Sequence, residues 1–116
     1  MDLNDLKRWN DNYGHAAGDT AIKTCVDFMI SSFPKARLYR TGGDEFMAIF
    51  LNFTKEQILT LVRQFHAKLE PTPYRVACGV AEFIPGDDIE KIISQSDREM
   101  YKNKKALKSV EFEQMK

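Results

Sequence analysis

The sequence predicts an α+β domain in which helices flank a central, mainly antiparallel sheet. Two observations predict this class: apolar residues recur at helical spacing in four segments, and short apolar runs typical of strands lie between them. The order is helix, helix, strand, strand, helix, strand, helix. A strand at the start converts this order into the βαββαβ pattern of ferredoxin-like folds. Residues 1–3 are the candidate for that strand. They are too few to cross a sheet, so we expect the first strand to be largely missing.

The first helix is indicated by apolar spacing and by the residues at its ends. Leu6, Trp9 and Tyr13 recur at intervals of three and four residues, which places them on one face. Asn4 has a side chain suited to capping the start of this helix, and Gly14 is suited to ending it. We therefore expect a short helix over residues 4–12.

Two further helices have recognisable ends. The second is expected to begin near residues 18–19, where Asp19 could act as its N-cap, and to stop at Pro34 because proline cannot continue a helix. Thr54 and Gln57 form the capping-box pattern, in which the two side chains satisfy each other's backbone amides at a helix start. The third helix is expected to follow directly.

The last helix and the strands complete the pattern. Asp87 and Glu90 repeat the capping-box spacing before a long apolar stripe that runs toward residue 107. Gly79 marks either a bulge or the close approach of another backbone. Strands are expected over residues 38–41, 46–51 and 74–81, and a last short strand over 109–112.

Residues 40–46, which read RTGGDEF, join two of these strands as a hairpin. Two adjacent glycines can take the positive φ angles that a tight hairpin needs. Asp44 and Glu45 would then lie at the hairpin tip. Carboxylates there could hold Mg²⁺ against a phosphate, because Mg²⁺ prefers oxygen ligands and completes its shell with substrate. On these residues alone, a solvated, charged hairpin is an equal alternative.

Composition limits the classes of function. A chain of 116 residues is sized for one domain, and its seventeen basic residues balance its seventeen acidic ones. There is thus no bulk electrostatic attraction for nucleic acid or an anionic membrane. Cys25 and Cys78 form neither a disulfide framework nor a metal-binding spacing, which favours a reducing compartment. No apolar run approaches the roughly 20 residues of a membrane helix. The expected location is cytoplasmic.

Four motifs occur in a fixed order along the chain. The first is DLNDLKRWND at 2–11, followed by Gly-His at 14–15 and Gly-Asp at 18–19; the others are GGDEF at 42–46, GVA at 79–81 and SDREMYKNK at 96–104. This set resembles the GGDEF family of diguanylate cyclases, whose first motif runs D-x-D-x-F-K-x-x-N-D. Asn4 and Leu6 are the two positions at which this chain departs from that motif.

The resemblance implies a nucleotidyl-cyclase, palm-like version of the predicted fold. It implies condensation of two GTP molecules into cyclic di-GMP, with release of pyrophosphate. The implied cofactor is Mg²⁺, with Mn²⁺ as a substitute, and the implied catalytic unit is a homodimer in which each subunit presents one GTP. Contact of this domain with nucleic acid or membrane is not expected. A sensory or regulatory domain is expected in a longer parent protein.

The resemblance also assigns metal-binding and catalytic roles. Asp2 would be a metal ligand, and Leu3 would add its backbone carbonyl oxygen. Asp44 would be a ligand and the candidate general base, and Glu45 a further ligand. Lys7 would stabilise charge in the transition state. From the residues alone, Asp2 could instead be a disordered terminal acid, and Lys7 a solvated helix lysine.

Substrate contacts follow from the same resemblance. Backbone amides of the turn that ends at Leu6 would seat the phosphates at a helix N-terminus. Asn10 and Asp19 would read guanine through the donors and acceptors of its edge. Lys104 would contact the terminal phosphates, with Lys108 assisting. Lysines near a helix C-terminus are also favoured by the helix dipole, so this pattern alone does not establish phosphate binding.

Two departures from the family pattern affect these expectations. Residues 33–36 read FPKA where many members carry the R-x-x-D product-inhibition motif, so we expect no primary inhibitory site. The family also opens with a D-x-L-T-x-L-x-N-R segment, a helix and a full first strand ahead of the motif at Asp2. Residues 1–116 are thus expected to form a single GGDEF domain lacking its N-terminal segment. A catalytically weak or inactive GTP-binding signalling module is the alternative function.

Overall fold

The computed structural model describes the backbone of residues 1–115 and the side chains of residues 1–106. The elements are β1 (Asp2–Leu3), α1 (Leu6–Tyr13), α2 (His15–Ser32), β2 (Arg37–Arg40), β3 (Phe46–Ile49), α3 (Lys55–Leu69), β4 (Val76–Ala77) and α4 (Ile89–Met115). Over this part of the chain, no helix combines the length and the apolarity needed to cross a bilayer.

The four strands form two antiparallel pairs that meet at β1. β1 pairs with β4, and β2 pairs with β3. On its other side, β1 reaches the hairpin through a bridge between Asp2 and Glu45. The Leu3 amide donates to the Asp44 carbonyl oxygen at 2.9 Å, and the Phe46 amide donates to Met1 at 2.8 Å. The spatial order is therefore β2, β3, β1, β4, antiparallel throughout, as the predicted α+β fold requires.

The core lies between this sheet, α2 and α3. Its apolar residues come from the helices and the strands, and Phe33 and Phe65 meet at 5.3 Å between ring centroids. The largest fully buried side chains are Leu3, Cys25, Met29, Phe33, Phe65, Leu69 and Val76. Leu3 is in β1, and its burial fixes the residues on either side of it, Asp2 and Asn4, at the end of the sheet.

The predicted capping box of α3 is confirmed. The Thr54 side chain accepts from the Gln57 amide at 3.2 Å, and the Gln57 side chain accepts from the Thr54 amide at 2.9 Å. The corresponding prediction for α4 was displaced by one residue. Asp88 accepts from the Glu90 amide, while Asp87 instead accepts from the Ile84 amide in the preceding turn.

The starts of α1 and α2 differ from the sequence prediction. Asp5, in the left-handed conformation with φ 59°, is the N-cap of α1 and makes no side-chain capping bond. Asn4 is buried and does not cap the helix. Gly14, with φ 86°, ends α1 and directly precedes α2. Since α2 already begins at His15, Asp19 lies inside this helix and cannot be its N-cap.

Of the two alternatives at Gly79, a bulge or the close approach of another backbone, the structure shows the close approach, which positions α4. A Cβ atom at Gly79 would collide with the Ser96 carbonyl oxygen and lie 2.5 Å from the Met100 amide nitrogen. Two hydrogen bonds hold the helix there: Ser96 Oγ donates to the Gly79 carbonyl at 3.0 Å, and the Cys78 amide donates to Asn103 Oδ1 at 2.9 Å. This contact places the next residue, Lys104, at the end of β1.

Two strand predictions were wrong: one strand is shorter than expected, and the other does not form. The strand expected over residues 74–81 forms only at Val76–Ala77, because α4 crosses the chain at Gly79 and replaces a sheet neighbour there. The strand expected over residues 109–112 does not form, since the backbone of α4 continues to Met115.

Candidate active site

The hairpin tip is fastened by Arg40 rather than by glycine conformation. Arg40 donates to the carbonyl oxygens of Gly42 at 3.2 Å and Gly43 at 2.7 Å. Neither glycine has a positive φ angle, so that sequence prediction was wrong. Nothing lies within 4 Å of a Cβ built on Gly43. Gly43 therefore leaves open space beside the backbone, which suits close approach of a ligand.

Asp2, Asp44 and Lys104 meet at the end of β1. Asp2 is only 5% exposed, and its Oδ2 accepts from Lys104 Nζ at 2.8 Å. Asp44 is brought alongside by the backbone bond between its carbonyl oxygen and the Leu3 amide. The two carboxyl groups lie close enough to hydrogen-bond when Asp44 is protonated. Three elements distant in sequence thus converge on one polar site.

The electrostatics of this site follow from two acids sharing it. Partial burial, the charge of Asp2 and the hydrogen bond with Asp2 together raise the pKa of Asp44 above its ordinary value, outweighing the opposing effects of a backbone hydrogen bond and of Lys104. The hydrogen bond to Asp2 raises the pKa of Lys104, although burial partly opposes it. Lys104 is therefore a firm cation beside an acid that is unusually ready to hold a proton.

Asp2 and Asp44 carry the oxygen ligands that a hard divalent cation prefers. Asp2 Oδ1 is buried and has no hydrogen-bond donor among the described residues. A buried carboxylate oxygen left without a donor is costly, and a cation placed between Asp2 and Asp44 would remove both that cost and their mutual repulsion. Leu3 directly follows Asp2 and pairs with Asp44 through its amide, and it could add its carbonyl oxygen as a ligand. The residues present therefore fit a hard divalent cation.

Glu45 is placed differently from Asp44. It is exposed, and its carboxylate turns back toward Gly42, lying 3.4 Å from where a Cβ on that glycine would be. Accordingly, the residues with described side chains contain no cluster of three His, Cys, Asp or Glu residues around a common point. A role for Glu45 as a ligand requires its side chain to rotate toward Asp2.

Asn4 is a site residue whose position sequence reasoning missed. It is 3% exposed, and neither its side-chain oxygen nor its side-chain nitrogen has a hydrogen-bond partner among the described residues. Asn4 follows Asp2 by two residues, and its amide nitrogen continues the strand pairing by donating to Arg75 at 2.8 Å. The signal available in the sequence was its period-two spacing from Asp2 around the apolar Leu3.

The start of α1 carries the predicted phosphate-binding residues. By helix geometry, the first amides of α1, from Leu6 onward, have no partner within the helix. The left-handed turn at Asp5 directs the chain from the β1 end into this helix terminus. Lys7 is exposed in the first turn. These residues therefore lie on the chain immediately after Asp2, but the structure records no contact between Lys7 and the acids.

The predicted guanine-reading residues lie where α1 packs on α2. The Asn10 side chain occupies the space that a Cβ on Gly18 would need. Asp19 follows Gly18 and is exposed. The glycine thus allows the Asn10 amide to approach α2 next to Asp19. Lys108, the remaining predicted substrate contact, lies outside the residues whose side chains are described.

Comparisons with known proteins place this geometry in a family context. The family model "Diguanylate cyclase, GGDEF domain" matches residues 1–109. "Probable diguanylate cyclase DgcI" of Escherichia coli is 31% identical over an alignment of 108 residues, which covers 90% of this chain and 24% of the relative. "Diguanylate cyclase DgcS" of Shewanella oneidensis is 30% identical over an alignment of 111 residues, which covers 90% of this chain and 37% of the relative. The chain therefore spans well under half the length of either relative.

A solved structure agrees with the fold. The active GGEEF domain of a diguanylate cyclase from Vibrio cholerae superposes with a TM-score of 0.77 and 27% sequence identity, covering 87% of this chain and 70% of that chain. The structural likeness agrees with the family match, which covers Asp2, the two hairpin acids and Lys104. The chain belongs to the GGDEF domain family.

Proposed function

We propose that this chain is a diguanylate cyclase domain that joins two GTP molecules into cyclic di-GMP and releases pyrophosphate. The observation that carries the proposal is the convergence of Asp2, Asp44 and Lys104 at one end of the sheet. Phosphoryl transfer needs a proton acceptor, positive charge and accurate positioning more than it needs covalent chemistry. These three side chains supply the first two needs at a single place.

Asp44 is proposed as the general base. The 3′-hydroxyl of one GTP gives its proton to the Asp44 carboxylate, and its oxygen forms a bond to the α-phosphorus of the other GTP. The bond from that phosphorus to the bridging oxygen breaks, and pyrophosphate leaves with the electron pair. The same step repeated closes the ring. The position of Asp44 supports this role, because its backbone bond to Leu3 sets a carboxylate acceptor at the end of β1, close to the proposed phosphate-binding residues.

Positive charge around the phosphates is proposed to come from the protein at two places. The free amides at the start of α1 and the exposed Lys7 would face the phosphates from one side, and Lys104 from the other. Asp2, Asp44 and the Leu3 carbonyl would hold Mg²⁺, or Mn²⁺ in its place. When bound, the cation would neutralise phosphate charge. The donorless Asp2 Oδ1 supports this assignment.

Guanine is proposed to be read between α1 and α2. The exposed Asp19 carboxylate can accept from the N1–H and N2–H₂ edge, while the Asn10 amide serves O6 or N3. Adenine would leave these groups unpaired, so the site can discriminate strongly between the two bases. The contact of the Asn10 side chain with Gly18 supports the proposal, since it brings the amide next to Asp19.

Catalysis is proposed to require a homodimer. The attacking hydroxyl and the α-phosphate belong to different GTP molecules, and the motifs describe one nucleotide site per chain. Two chains facing each other would present both nucleotides. Because the chain spans only 24% of the length of the relative DgcI, we also propose that a longer parent protein carries a domain that controls this pairing.

A direct assay tests the proposal. The purified chain is incubated with GTP and Mg²⁺, and cyclic di-GMP and pyrophosphate are quantified, with ATP as a substrate control. Asp44→Asn should abolish synthesis, whereas Asp27→Asn, which neutralises an exposed acid on α2, should leave it unchanged. Unaltered synthesis by Asp44→Asn would overturn the assignment of the base. Equal use of ATP would overturn the guanine site.

A GTP-binding signalling module with little turnover is the second candidate. It is favoured by the outward position of Glu45, which leaves Asp2 and Asp44 as the two carboxylates of the proposed metal site. The same assay separates the two functions. A rise in melting temperature on adding GTP, without product at any chain concentration, would identify the binding module.

A further inference from the structure

Lys104 bonds the same Asp2 carboxylate that is proposed to hold a divalent cation. Lys104 Nζ lies 2.8 Å from Asp2 Oδ2, with the Asp2 side chain 8% exposed and that of Lys104 27% exposed. The same ammonium also stabilises the negative charge of Asp44. One monovalent cation thus serves both carboxylates.

The ammonium and a divalent cation cannot both hold these carboxylates without opposing each other. Two cations sharing one partly buried carboxylate repel, and that repulsion grows as solvent is excluded. We propose that Lys104 is an exchangeable counter-ion: it holds Asp2 while the site lacks a metal ion, and a divalent cation displaces it toward the nucleotide phosphates. This inference rests on the proposed metal and GTP site but adds a residue that competes for it.

The structure allows Lys104 to move while its helix stays in place. α4 is fixed one residue earlier by the hydrogen bond between Asn103 and the Cys78 amide, and further back by the contact of Ser96 with Gly79. The lysine itself has a flexible four-carbon stem, and its side chain keeps a path to solvent. Exchange therefore needs a change of side-chain rotamer, not a movement of α4.

The exchange has a thermodynamic consequence. A cation that binds alone must break the bond between Lys104 and Asp2 and leave the ammonium without a partner. When a nucleotide is present, its phosphates receive the displaced ammonium, so each ligand strengthens the binding of the other. Coupling of this kind is reciprocal by linkage. Lys104 would therefore make metal binding depend on nucleotide, which limits loading of the site by a metal ion alone.

The test measures binding of Mn²⁺ alone, by calorimetry and by the metal-induced shift in melting temperature. Lys104→Gln should bind Mn²⁺ about tenfold more tightly than the natural chain, as expected when a close competing charge is removed. Lys102→Gln makes the same charge change on the same helix, at a side chain that is 78% exposed. It should bind Mn²⁺ as the natural chain does. Lys104→Arg, which keeps the cation, should also retain the weaker affinity.

Nucleotide provides a second readout. A non-hydrolysable GTP analogue should increase Mn²⁺ affinity in the natural chain and much less in Lys104→Gln. Circular dichroism checks that the variant is folded, and Lys104→Met replaces it if it is not. Equal Mn²⁺ affinity in the natural chain and in the folded neutral variants of Lys104 would overturn the proposal. So would a failure of all of these chains, the neutral variants of Lys104 included, to bind Mn²⁺ at millimolar concentration.

The outcome is separable from that of the proposed function. Synthesis of cyclic di-GMP by a chain whose Mn²⁺ affinity does not depend on Lys104 would leave the function standing and remove the counter-ion. Tighter Mn²⁺ binding by Lys104→Gln, together with no product from the natural chain, would support the counter-ion and remove the proposed function.

Discussion

Lys104 Nζ donates to Asp2 Oδ2 at 2.8 Å and thereby joins residues that are 102 positions apart in the chain. The bond ties the last helix to the first strand at the point where Asp44 also arrives. It makes Asp2 and Asp44 unequal, although both are acids of one site. Asp2 has a cation bonded directly to it, while Asp44 is dominated by burial and by the charge of Asp2.

This inequality predicts opposite effects on stability in the presence of a chelator. Asp2→Asn removes the charged partner of Lys104 and should lower the free energy of unfolding by about 1–3 kcal/mol. Asp44→Asn removes an ionised group that the fold disfavours, so it should unfold at a urea concentration equal to or above that of the natural chain. Urea titration at neutral pH measures both. An equal loss in the two variants would show that Asp44 is not destabilised by Asp2.

The contrast between Thr54 and Asp2 shows what the sequence could predict. The Thr54–Gln57 capping box joins residues three positions apart, so it is encoded locally. At Gly79, the lack of a side chain within a strand pattern indicated either a bulge or the close approach of another backbone. The structure confirms the capping box and shows the second of the two alternatives at Gly79. The bond from Lys104 to Asp2 depends on how α4 crosses β4, and nothing local to either residue encodes that crossing. The family motifs identified both residues as site candidates but not as partners.

The errors have a similar physical origin. Asp19 and Asn4 are both good capping residues, and local propensity favoured that role. The actual starts of α1 and α2 were decided by backbone at Asp5 and Gly14, which adopt positive φ angles. Conversely, the glycines at the hairpin tip were expected to need positive φ and do not. In this structure Gly43 is open to ligand instead of strained.

Gly18 should separate nucleotide binding from stability. A Cβ there would displace the Asn10 side chain, which is free to rotate away. Because glycine inside a helix costs about 0.5–1 kcal/mol relative to alanine, Gly18→Ala should keep or raise the melting temperature. Affinity for a GTP analogue should fall roughly tenfold, as expected when a polar contact to the base is lost.

Two variants calibrate that result. Asn10→Ala should lose the same affinity as Gly18→Ala, because the first removes and the second displaces one amide of the proposed guanine site. Thr24→Ala changes helix propensity on α2 away from Asn10 and should bind the analogue normally. Unchanged affinity in Gly18→Ala, with its fold intact, would argue that Asn10 does not read the base.

Gly79 should be intolerant of any side chain. The space that a Cβ at Gly79 would need is occupied by backbone atoms of Ser96 and Met100 in α4, which cannot rotate aside. Gly79→Ala should therefore destabilise the fold by about 1–3 kcal/mol or more, through overpacking. Gly43→Ala is the matched control, because its Cβ would enter open space and its φ angle is not positive. Thermal unfolding should show a marked drop for the first and almost none for the second.

His66 should make stability depend on pH. Its Nε2 donates to the Val76 carbonyl oxygen at 2.9 Å, and burial lowers the pKa of His66 relative to the unfolded chain, outweighing that hydrogen bond. The unfolded state therefore takes up the proton first as pH falls. The contribution of neutral His66 is complete above the unfolded pKa of about 6.5 and is lost as pH falls from there through the folded pKa. His66→Gln keeps a donor for Val76 but does not titrate. Urea unfolding at pH values on both sides of about 6.5 should show a larger loss of stability in the natural chain than in His66→Gln, whereas identical profiles would place the pH dependence in other groups.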